Sequence, residues 1–461
     1  MAVRMSDDYD VVVIGAGTGG YSCALRAAQL GKRVALVERD ERLGGTCLLR
    51  GCIPTKALLQ SAAVLDTVNR SSEWGVTASG ALDWEAVKAF EQRVVDKLVA
   101  GVAGLVKARK VDLVQGSASL APGPAVRVGE RTLSAADVVI ATGSAPKLLP
   151  GLSVGERVIT SDQALWYPTV PASAVVIGAG AVGLEFASLY RSFGAEVTLV
   201  EALPRIAPLE DEDVSRELAR AFRRRGIQAH ADARVQAVDE VPEGVRVVFE
   251  AGGETRAVTA DVCLVAVGRG PVTEGLGLEN VGVELDRGFV KVDGQLLTTA
   301  PHVWAVGDVA ATPLQLAHVA FTEGIAVAER IAGWSVPDID YAGIPRVTYC
   351  TPEVASVGLT EAQAVERGHE IRTEKLSFQG IGKANIVGES GVVKLVADRN
   401  GPVLGVHMVG PHVTDLVAEA MLITNWEALP EEVAALIHPH PTLSEAIGEA
   451  HLALVGKPLH T

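Results

Sequence analysis

Short apolar runs followed by glycines mark the beginning of the chain. Residues 11–14 read Val-Val-Val-Ile, the glycine-rich stretch 15–20 follows, and a helical pattern continues to about Leu30. A second apolar run, 34–37, ends at Glu38. Uninterrupted apolar runs bounded by glycine are typical of parallel strands buried on both faces. The pattern therefore predicts a strand–turn–helix–strand unit.

The same unit occurs a second time. The run 175–177 precedes a glycine-rich stretch, and the run 197–200 leads to Glu201 with the same offsets as in the first copy. The repeated glycines are Gly15, Gly17 and Gly20 in the first copy and Gly178, Gly180 and Gly183 in the second. In such a motif the first glycine permits a tight turn, the second lets the backbone approach a pyrophosphate, and the third lets helix pack on strand. The helix N-terminus then faces the phosphates. Two copies predict two bound dinucleotides in two doubly wound domains.

Each copy ends in a glutamate placed to accept hydrogen bonds from ribose hydroxyls. At Glu201 a carboxylate pairs with a 2′-hydroxyl and repels a 2′-phosphate, which favours NAD over NADP. Arg205 lies nearby in the sequence and slightly weakens that preference.

The remaining chain predicts an interrupted first nucleotide domain and a separate C-terminal domain. Strands are predicted at 138–140, 262–267 and 303–308, the last ending in an acid, and a helix from about Pro313 to Ile331. From about residue 344, short strands (391–397 and 403–409) precede a helix at about 412–424, which indicates an α+β domain.

Composition limits the setting. The chain has 461 residues, a net charge of −15 and a pI of about 5.2, which argues against nucleic acid or an anionic membrane as partner. Its 5 cysteines are too scattered for a secreted disulfide framework. The first ten residues lack the apolar core of a signal peptide, and no apolar run reaches a membrane span. We expect a cytoplasmic protein, in which a disulfide is usually transient and catalytic.

Cys47 and Cys52 directly follow the first unit, and no other cysteines lie so close together. A cysteine pair beside a nucleotide site suggests electron transfer between a dithiol and a cofactor. Since Pro54 favours the first turn of a helix, Cys52 is predicted at a helix N-terminus, which lowers a thiol pKa. The alternatives are two small buried residues or half of a metal site, but a metal needs further ligands.

These motifs resemble those of the flavoprotein disulfide reductases (pyridine nucleotide-disulfide oxidoreductases), and within them the dihydrolipoyl dehydrogenases. The resemblance covers nearly the whole chain. It rests on the glycine turns, the run Gly44-Gly45-Thr46-Cys47-Leu48-Leu49-Arg50-Gly51-Cys52, Trp304-Ala305-Val306-Gly307-Asp308, Leu404-Gly405-Val406-His407 and His440-Pro441-Thr442-Leu443-Ser444-Glu445.

The resemblance implies FAD in the first nucleotide fold, NAD in the second, and no metal. The implied domains are the FAD domain (1–150 and 273–343), the NAD domain (151–272) that interrupts it, and a dimerisation domain (344–461). The implied FAD residues are Gly15, Gly17, Gly20, Glu38, Lys56, Ala118, Thr142, Gly143, Ser144, Asp308, Leu314, Gln315, Leu316 and Ala317, the last four beginning a helix that points at the flavin. The implied NAD residues are Gly178, Gly180, Gly183, Glu201, Val235 and Gly268.

The resemblance also implies catalytic roles. Cys47 and Cys52 would form a disulfide, with Cys47 exchanging with substrate and Cys52 against the flavin. Lys56 would pair with Glu185 near the flavin. His440 would be the base, oriented by Glu445, although His438 competes for that role. Since the histidine–glutamate pair serves the other subunit's disulfide in the family, a homodimer is expected.

The implied reaction is oxidation of protein-bound dihydrolipoamide with reduction of NAD. Lipoyl domains and core subunits of 2-oxo acid dehydrogenase complexes would be the partners. The alternative is an NAD(P)H-dependent reductase of another disulfide or of quinones on the same fold. Against a glutathione-type reductase, Glu201 and Ala207 stand where arginines are usual. Departures from the family pattern are Leu49, Arg50 and Gly270.

Overall fold

The computed structural model describes residues 7–460. The strands are β1 Asp8–Ile14, β2 Val34–Glu38, β3 Asp112–Gln115, β4 Ala118–Ala121, β5 Ala125–Val128, β6 Arg131–Ile140, β7 Ser144–Pro146, β8 Val158–Thr160, β9 Ser173–Ile177, β10 Glu196–Val200, β11 Gln228–His230, β12 Ala233–Val241, β13 Gly244–Ala251, β14 Glu254–Ala260, β15 Val262–Val265, β16 Arg269–Pro271, β17 Leu285–Asp286, β18 Phe289–Val290, β19 Val303–Ala305, β20 Arg346–Thr348, β21 Glu353–Gly358, β22 Ile371–Ser377, β23 Val392–Asp398 and β24 Val403–Gly410. The helices are α1 Thr18–Gln29, α2 Gly45–Arg50, α3 Cys52–Asn69, α4 Trp84–Ala108, α5 Ser161–Ala164, α6 Ala181–Ser192, α7 Glu212–Arg224, α8 Ala317–Ile331, α9 Glu361–Glu366, α10 Gly382–Val387, α11 Val413–Asn425, α12 Pro430–Ala434 and α13 Glu445–Leu454.

The chain divides into two compact units, the first of which is discontinuous. It comprises Met1–Ala57, Glu85–Lys147 and Arg269–Tyr341. Its main sheet has the order β3-β2-β1-β6-β5-β4, with β19 also paired to β6. β1 runs parallel to β2 and β6 at the centre, where its valines are fully buried.

Helices α1 and α8 of the first unit approach each other closely because glycines face across the contact. A Cβ at Gly324 would lie 2.3 Å from the carbonyl oxygen of Gly19. The hydroxyl of Ser22 donates to that same carbonyl at 3.0 Å. Tight packing of these helices fixes the N-terminal end of α1, where the first glycine turn lies.

The second unit comprises Leu58–Trp84, Leu148–Gly268 and Ala342–Thr461. It contains a parallel sheet of order β11-β10-β9-β15-β8 and an antiparallel sheet β12-β13-β14. A further antiparallel sheet, β20-β21-β24-β23-β22, shares a hydrophobic core with α11 and α13. The predicted fold class is confirmed: two Rossmann-like nucleotide folds and a C-terminal α+β domain. The domain boundaries proposed from the sequence stay a prediction.

Two kinds of feature, a metal-binding cluster and a membrane-spanning helix, are absent from residues 7–460. No cluster of three or more histidine, cysteine, aspartate or glutamate side chains is arranged to hold a metal ion there. Within the same range, none of the helices combines the length and apolar character that a membrane span requires.

Candidate functional site

The three glycines of the first turn differ in what surrounds them. Gly15 has φ +100°, and a Cβ there would lie 2.5 Å from the carbonyl oxygen of Ala141. A Cβ at Gly20 would lie 1.8 Å from the carbonyl oxygen of Gly15, closer than atoms can approach. At Gly17 the nearest described atom would be the Cα of Gly45, at 3.9 Å. Gly15 and Gly20 therefore serve packing, whereas Gly17 leaves room for a ligand.

The N-terminus of α1 is suited to an anion. Its N-cap is Gly17, which has no side chain to accept the first amide hydrogens, and the first turn carries no acidic residue. The first amides of a helix lack partners within the helix and carry a partial positive charge. This end of the helix fits a pyrophosphate, as the motif predicts.

The second turn repeats this geometry. Gly178 has φ +101°, and a Cβ there would lie 2.4 Å from the carbonyl oxygen of Ala266. A Cβ at Gly183 would lie 1.9 Å from the carbonyl oxygen of Gly178. A Cβ at Gly180 would meet no described atom within 4 Å. Gly180 is also the N-cap of α6 and makes no side-chain cap, so this helix end suits a second pyrophosphate.

The two glutamates anchor the glycine turns, a role that the sequence did not reveal. Oε2 of Glu38 accepts the amide of Ala16 at 2.7 Å, and its Oε1 accepts the amide of Asp40 at 2.9 Å. A carboxylate oxygen has two lone pairs, so each keeps acceptor capacity for a ribose hydroxyl.

Glu201 has the same contacts in the second copy. Its Oε2 accepts the amide of Ala179 at 2.6 Å, and its Oε1 accepts that of Leu203 at 2.8 Å. The guanidinium of Arg205 is occupied elsewhere, since it donates to two backbone carbonyls at 3.3 Å. In this structure Nη2 of Arg205 is therefore directed to the backbone rather than to Glu201.

The cysteine pair lies at the junction of two helices. Cys47 lies in α2, and Cys52 is the first residue of α3, which confirms the predicted helix start. A side-chain hydrogen bond with Cys52 and burial raise the pKa of the Cys47 thiol, and the charge of Lys56 opposes that rise. The two thiols therefore lie within hydrogen-bond reach of each other, with Lys56 one turn further along α3.

The segment that carries the cysteines packs on the first glycine turn. The amide of Gly44 donates to the carbonyl oxygen of Ala16 at 2.9 Å. A Cβ at Gly45 would lie 2.6 Å from the Cα of Gly17. Both glycines have positive φ, at +116° and +55°. Only glycine allows this close approach, so the sulfurs are held next to the predicted nucleotide site.

Asp308 lies in a short 3₁₀ segment, Gly307–Val309, and accepts a hydrogen bond from Ser144. The Ser144 Oγ to Asp308 Oδ2 distance is 2.6 Å. Beside them, Gly143 has φ +70° and the hydroxyl of Thr142 donates to the carbonyl oxygen of Val272 at 2.6 Å. The structure thus gathers these four predicted residues around one turn.

The helix predicted from Leu314 begins later than expected. Helix α8 starts at Ala317, Leu316 is its N-cap with φ −130°, and Leu314 and Gln315 precede the helix. Instead of entering the helix, Gln315 donates from its side chain to the carbonyl oxygen of Asp308 at 3.3 Å. Leu316 itself is extended, and only Ala317 of the four is helical.

Three other predicted cofactor residues would contact a nucleotide mainly through their backbone atoms. The side chains of Ala118 and Val235 pack against the cores of the first and second unit, respectively. Gly268 has φ +108°, and a Cβ there would meet no described atom within 4 Å. Any nucleotide contact by Ala118 or Val235 would therefore come from the main chain.

Glu185 lies in α6 and is 4% exposed. Its Oε1 accepts the amide of Tyr349 at 3.0 Å. The predicted pairing of Glu185 with Lys56 stays a prediction.

His440 and Glu445 form the predicted pair. Nδ1 of His440 lies 2.8 Å from Oε1 of Glu445, and Oε2 of Glu445 accepts the amide of Thr442 at 2.8 Å. Burial acts to raise the pKa of Glu445, but the hydrogen bonds from Thr442 and His440 hold it below its usual value. Because the ionised carboxylate only accepts, Nδ1 is the protonated nitrogen and Nε2 is left as the acceptor.

Exposure separates His440 from its competitor. The side chain of His440 is 77% exposed, whereas that of His438 is 12% exposed. Nε2 of His438 lies 2.7 Å from Oε1 of Glu419, and that hydrogen bond raises the pKa of His438. His438 is therefore held by Glu419 in a largely buried position, and His440 is the exposed histidine of the two.

Glu323 was not among the site residues predicted from the sequence. This carboxyl in α8 is fully buried; its Oε2 accepts the amide of Gly307 at 2.6 Å and its Oε1 accepts the hydroxyl of Tyr341 at 2.8 Å. Burial raises the pKa of Glu323. An acid within an apolar helical pattern was the available signal, and its function is to fix the turn that carries Asp308.

Comparison with known proteins shows the family of this chain. Residues 9–324 match the family described as pyridine nucleotide-disulphide oxidoreductase, and residues 344–451 match its dimerisation domain. A dihydrolipoyl dehydrogenase of Bacillus subtilis is 45% identical over 99% of this chain and all of its own length. That of Thermus scotoductus is 42% identical over 98% of each chain.

Solved structures give the same result. LpdA of Mycobacterium tuberculosis superimposes with a TM-score of 0.88 at 27% identity, covering 96% of this chain and 99% of the other. The HOCl-induced flavoprotein disulfide reductase RclA of Escherichia coli gives a TM-score of 0.86 at 27% identity, covering 96% and 99%. The chain therefore belongs to the pyridine nucleotide-disulphide oxidoreductase family.

Proposed function

We propose that this chain is a flavoprotein dihydrolipoyl dehydrogenase, which oxidises a dihydrolipoyl dithiol and reduces NAD⁺. The observation that carries this proposal is the hydrogen-bonded Cys47–Cys52 pair, which is packed through Gly45 against the first of two nucleotide-binding turns. Full-length relatives that bear this name support the same reaction.

The protein uses FAD and NAD, and its two turns fit them. Gly17 and Gly180 leave the open space that a pyrophosphate needs, and Glu38 and Glu201 keep acceptor capacity for the ribose hydroxyls. In our assignment the first turn holds FAD, together with Thr142, Gly143, Ser144, Asp308 and the start of α8, and the second holds NAD. Bound flavin supplies a two-electron acceptor, and bound nicotinamide takes up the hydride.

The cysteines and His440 carry out the thiol chemistry. His440 Nε2 takes a proton from one substrate thiol, and the resulting thiolate attacks Cys47 in the Cys47–Cys52 disulfide. That bond breaks, and Cys52 leaves as a thiolate, which the N-terminus of α3 stabilises. The second substrate thiol then attacks the substrate sulfur of the mixed disulfide, and its proton goes to the departing Cys47, while His440 keeps the first proton. The substrate loses two electrons and the enzyme disulfide gains them.

Glu445 has an orienting role in these steps. It holds Nδ1 of His440, fixes the tautomer and stabilises the imidazolium that forms. We propose that this pair serves the cysteines of a second copy of the chain, which residues 344–451 would join as a homodimer. Lipoyl domains on the core subunits of 2-oxo acid dehydrogenase complexes would deliver the substrate in the cytoplasm, and neither nucleic acid nor membrane has a role.

The test is steady-state turnover of the purified, FAD-loaded protein with dihydrolipoamide and NAD⁺. We expect rapid NADH formation that is abolished by Cys47→Ser and retained by Cys263→Ala, which changes a buried cysteine of strand β15. Absence of turnover with the lipoyl dithiol, together with NADPH oxidation by another disulfide or a quinone, would overturn the assignment in favour of the alternative reductase.

A further inference from the structure

A chain of hydrogen bonds joins the cysteine segment to Asp308. Arg269 donates from Nη2 to Oγ1 of Thr46 at 3.2 Å and from Nε to Oγ of Ser144 at 2.7 Å. Its Nη2 also donates to the carbonyl oxygen of Ser144 at 2.8 Å. Ser144 in turn donates to Asp308 at 2.6 Å. We call these four residues the Arg269 network.

Proton positions in the network follow from the chemistry of arginine. A guanidinium has five N–H donors and no acceptor, so the Ser144 hydroxyl must accept from Arg269. Its single proton is then left for the carboxylate of Asp308. Ser144 is 7% exposed, so water does not readily replace either bond. The guanidinium thereby orients the acid through the serine.

Rigid backbone supports two of the four residues. Arg269 begins β16, which pairs antiparallel with β7 in the register Arg269 to Pro146 and Pro271 to Ser144. Arg269 and Ser144 are therefore fixed relative to each other by the ladder. Thr46 lies outside this ladder, in α2, and immediately precedes Cys47. The Arg269–Thr46 bond is thus the side-chain contact by which the network holds the cysteine segment.

We propose that Arg269 is a positioning residue that sets how electrons are shared between the cysteine pair and the flavin. It does so by holding Thr46, and with it Cys47, in register with Ser144 and Asp308. This inference deepens the proposed function and rests on the assignment of FAD to the first turn. Gly270, which departs from the family pattern, follows Arg269 in β16. Arg269 therefore supplies the guanidinium of this strand.

Two variants separate geometry from charge. Arg269→Met keeps most of the side-chain stem but removes every donor. Arg269→Lys keeps the charge, but a single ammonium does not reproduce the planar fork that bonds Ser144 and Thr46 together. If the geometry matters, both variants should be impaired. Thr46→Val removes the hydroxyl acceptor while keeping the shape of the side chain.

The experiment is anaerobic reduction of the FAD-loaded protein with dithionite, followed by absorbance spectroscopy. At two electrons per flavin, the electrons lie either on the cysteines (thiolate next to oxidised flavin, seen as long-wavelength absorbance) or on the flavin (disulfide next to reduced flavin), and the ratio of these two forms reports the sharing directly. We expect Arg269→Met to change this ratio about tenfold, the effect of one lost charge-assisted hydrogen bond. The dissociation constant of FAD from the apoprotein, measured by flavin fluorescence, should rise as well.

A double-mutant cycle tests whether the effect passes through Thr46. The combined Arg269→Met and Thr46→Val protein should be little worse than Arg269→Met alone, because one bond cannot be lost twice. The matched control is Arg127→Met, the same change at an exposed arginine of β5 in the same unit.

Three results would overturn the inference: an unchanged ratio in Arg269→Met, full recovery in Arg269→Lys, or strictly additive effects in the cycle. Because dithionite replaces the lipoyl substrate, the measurement does not depend on the substrate assignment. Failure of the proposed function would appear instead as an unsubstituted protein that binds FAD but is not reduced by dihydrolipoamide.

Discussion

Gly180, the central glycine of the second turn, permits a test that measures effects on NAD binding and on folding stability separately. Gly180 has φ −76° and ψ −178°, a conformation that any residue adopts, and a Cβ there meets no described atom within 4 Å. Alanine fits without strain. Because alanine restricts the unfolded chain more than glycine does, it stabilises the folded protein by about 0.4–1 kcal/mol. Alanine is, however, a poorer N-cap than glycine by about the same amount. The unfolding free energy of Gly180→Ala should therefore stay within about 1 kcal/mol of the parent.

The same methyl group should impair NAD binding. It projects into the space through which the backbone approaches a pyrophosphate. Loss of one hydrogen bond to a charged group costs about 1.5–3 kcal/mol, which corresponds to about 10- to 100-fold in affinity. We expect KM for NAD⁺ to rise by that factor, with the FAD content unchanged because the first turn is intact.

Gly183, the third glycine of the turn, should behave differently from Gly180. A Cβ at Gly183 would lie 1.9 Å from the carbonyl oxygen of Gly178, and a backbone atom cannot move aside as a flexible side chain does. Overpacking of this kind costs about 3 kcal/mol or more. Gly183→Ala should therefore lower the melting temperature strongly, unlike Gly180→Ala.

The assay combines KM for NAD⁺ at saturating dithiol, thermal unfolding, and flavin absorbance after gel filtration. Gly101→Ala is the control, since it adds a methyl group in open space on the exposed side of α4. A folded Gly180→Ala protein with an unchanged KM for NAD⁺ would refute the reasoning. So would a Gly183→Ala protein as stable as the parent.

Three further predictions concern charged groups. His440→Gln should lower kcat/KM for dihydrolipoamide by about 10²–10⁴-fold, the usual contribution of a general base, whereas His438→Gln should mainly affect stability in melting experiments. Glu419 raises the pKa of His438 in the folded protein. This pair therefore stabilises the fold most below about pH 6.5, and its contribution is lost as the pH rises through the raised pKa. The melting temperature of His438→Gln should thus fall further below that of the parent at pH 6 than at pH 9, and an equal difference at both pH values would contradict the ion pair. Glu201→Gln should narrow the ratio of kcat/KM for NAD⁺ over NADP⁺, because the charge that repels a 2′-phosphate is gone; an unchanged ratio would assign the selectivity to other groups. Lys394 is 5% exposed and contacts three carboxylates, so Lys394→Met should cost about 3–5 kcal/mol in chemical denaturation, and a loss below 1 kcal/mol would mean that the carboxylates take up protons or water.

Features that depend on neighbouring residues were predictable from the sequence. Both glycine turns lie where the pattern placed them, because a tight turn between a buried strand and a helix requires glycine at fixed offsets. Cys52 begins α3, because a proline two residues later can enter only the first turn of a helix. The start of α8 was misplaced by the same rule: Pro313 is compatible with a first turn, but the helix begins only at Ala317, after an N-cap, Leu316, in an extended conformation.

Contacts between distant residues were not predictable. Arg269 reaches Thr46 across 223 positions, and nothing in either local pattern indicates the contact. The glycine-rich stretch 379–388 had no explanation from sequence; in the structure its carbonyl groups accept hydrogen bonds from Trp74 at 3.2 Å and from Arg70 at 3.0 Å. Such partners are selected by the tertiary fold, so one sequence does not show them.

The two nucleotide turns share one design but differ in what packs beside the central glycine. A Cβ at Gly17 would have no described atom nearer than 3.9 Å and one at Gly180 none within 4 Å, so both turns leave room for a pyrophosphate. The first turn in addition has the cysteine segment packed against it, since a Cβ at Gly45 would lie 2.6 Å from the Cα of Gly17. Since Gly45 begins the helix that carries Cys47, this glycine contact positions Cys47 relative to the first turn.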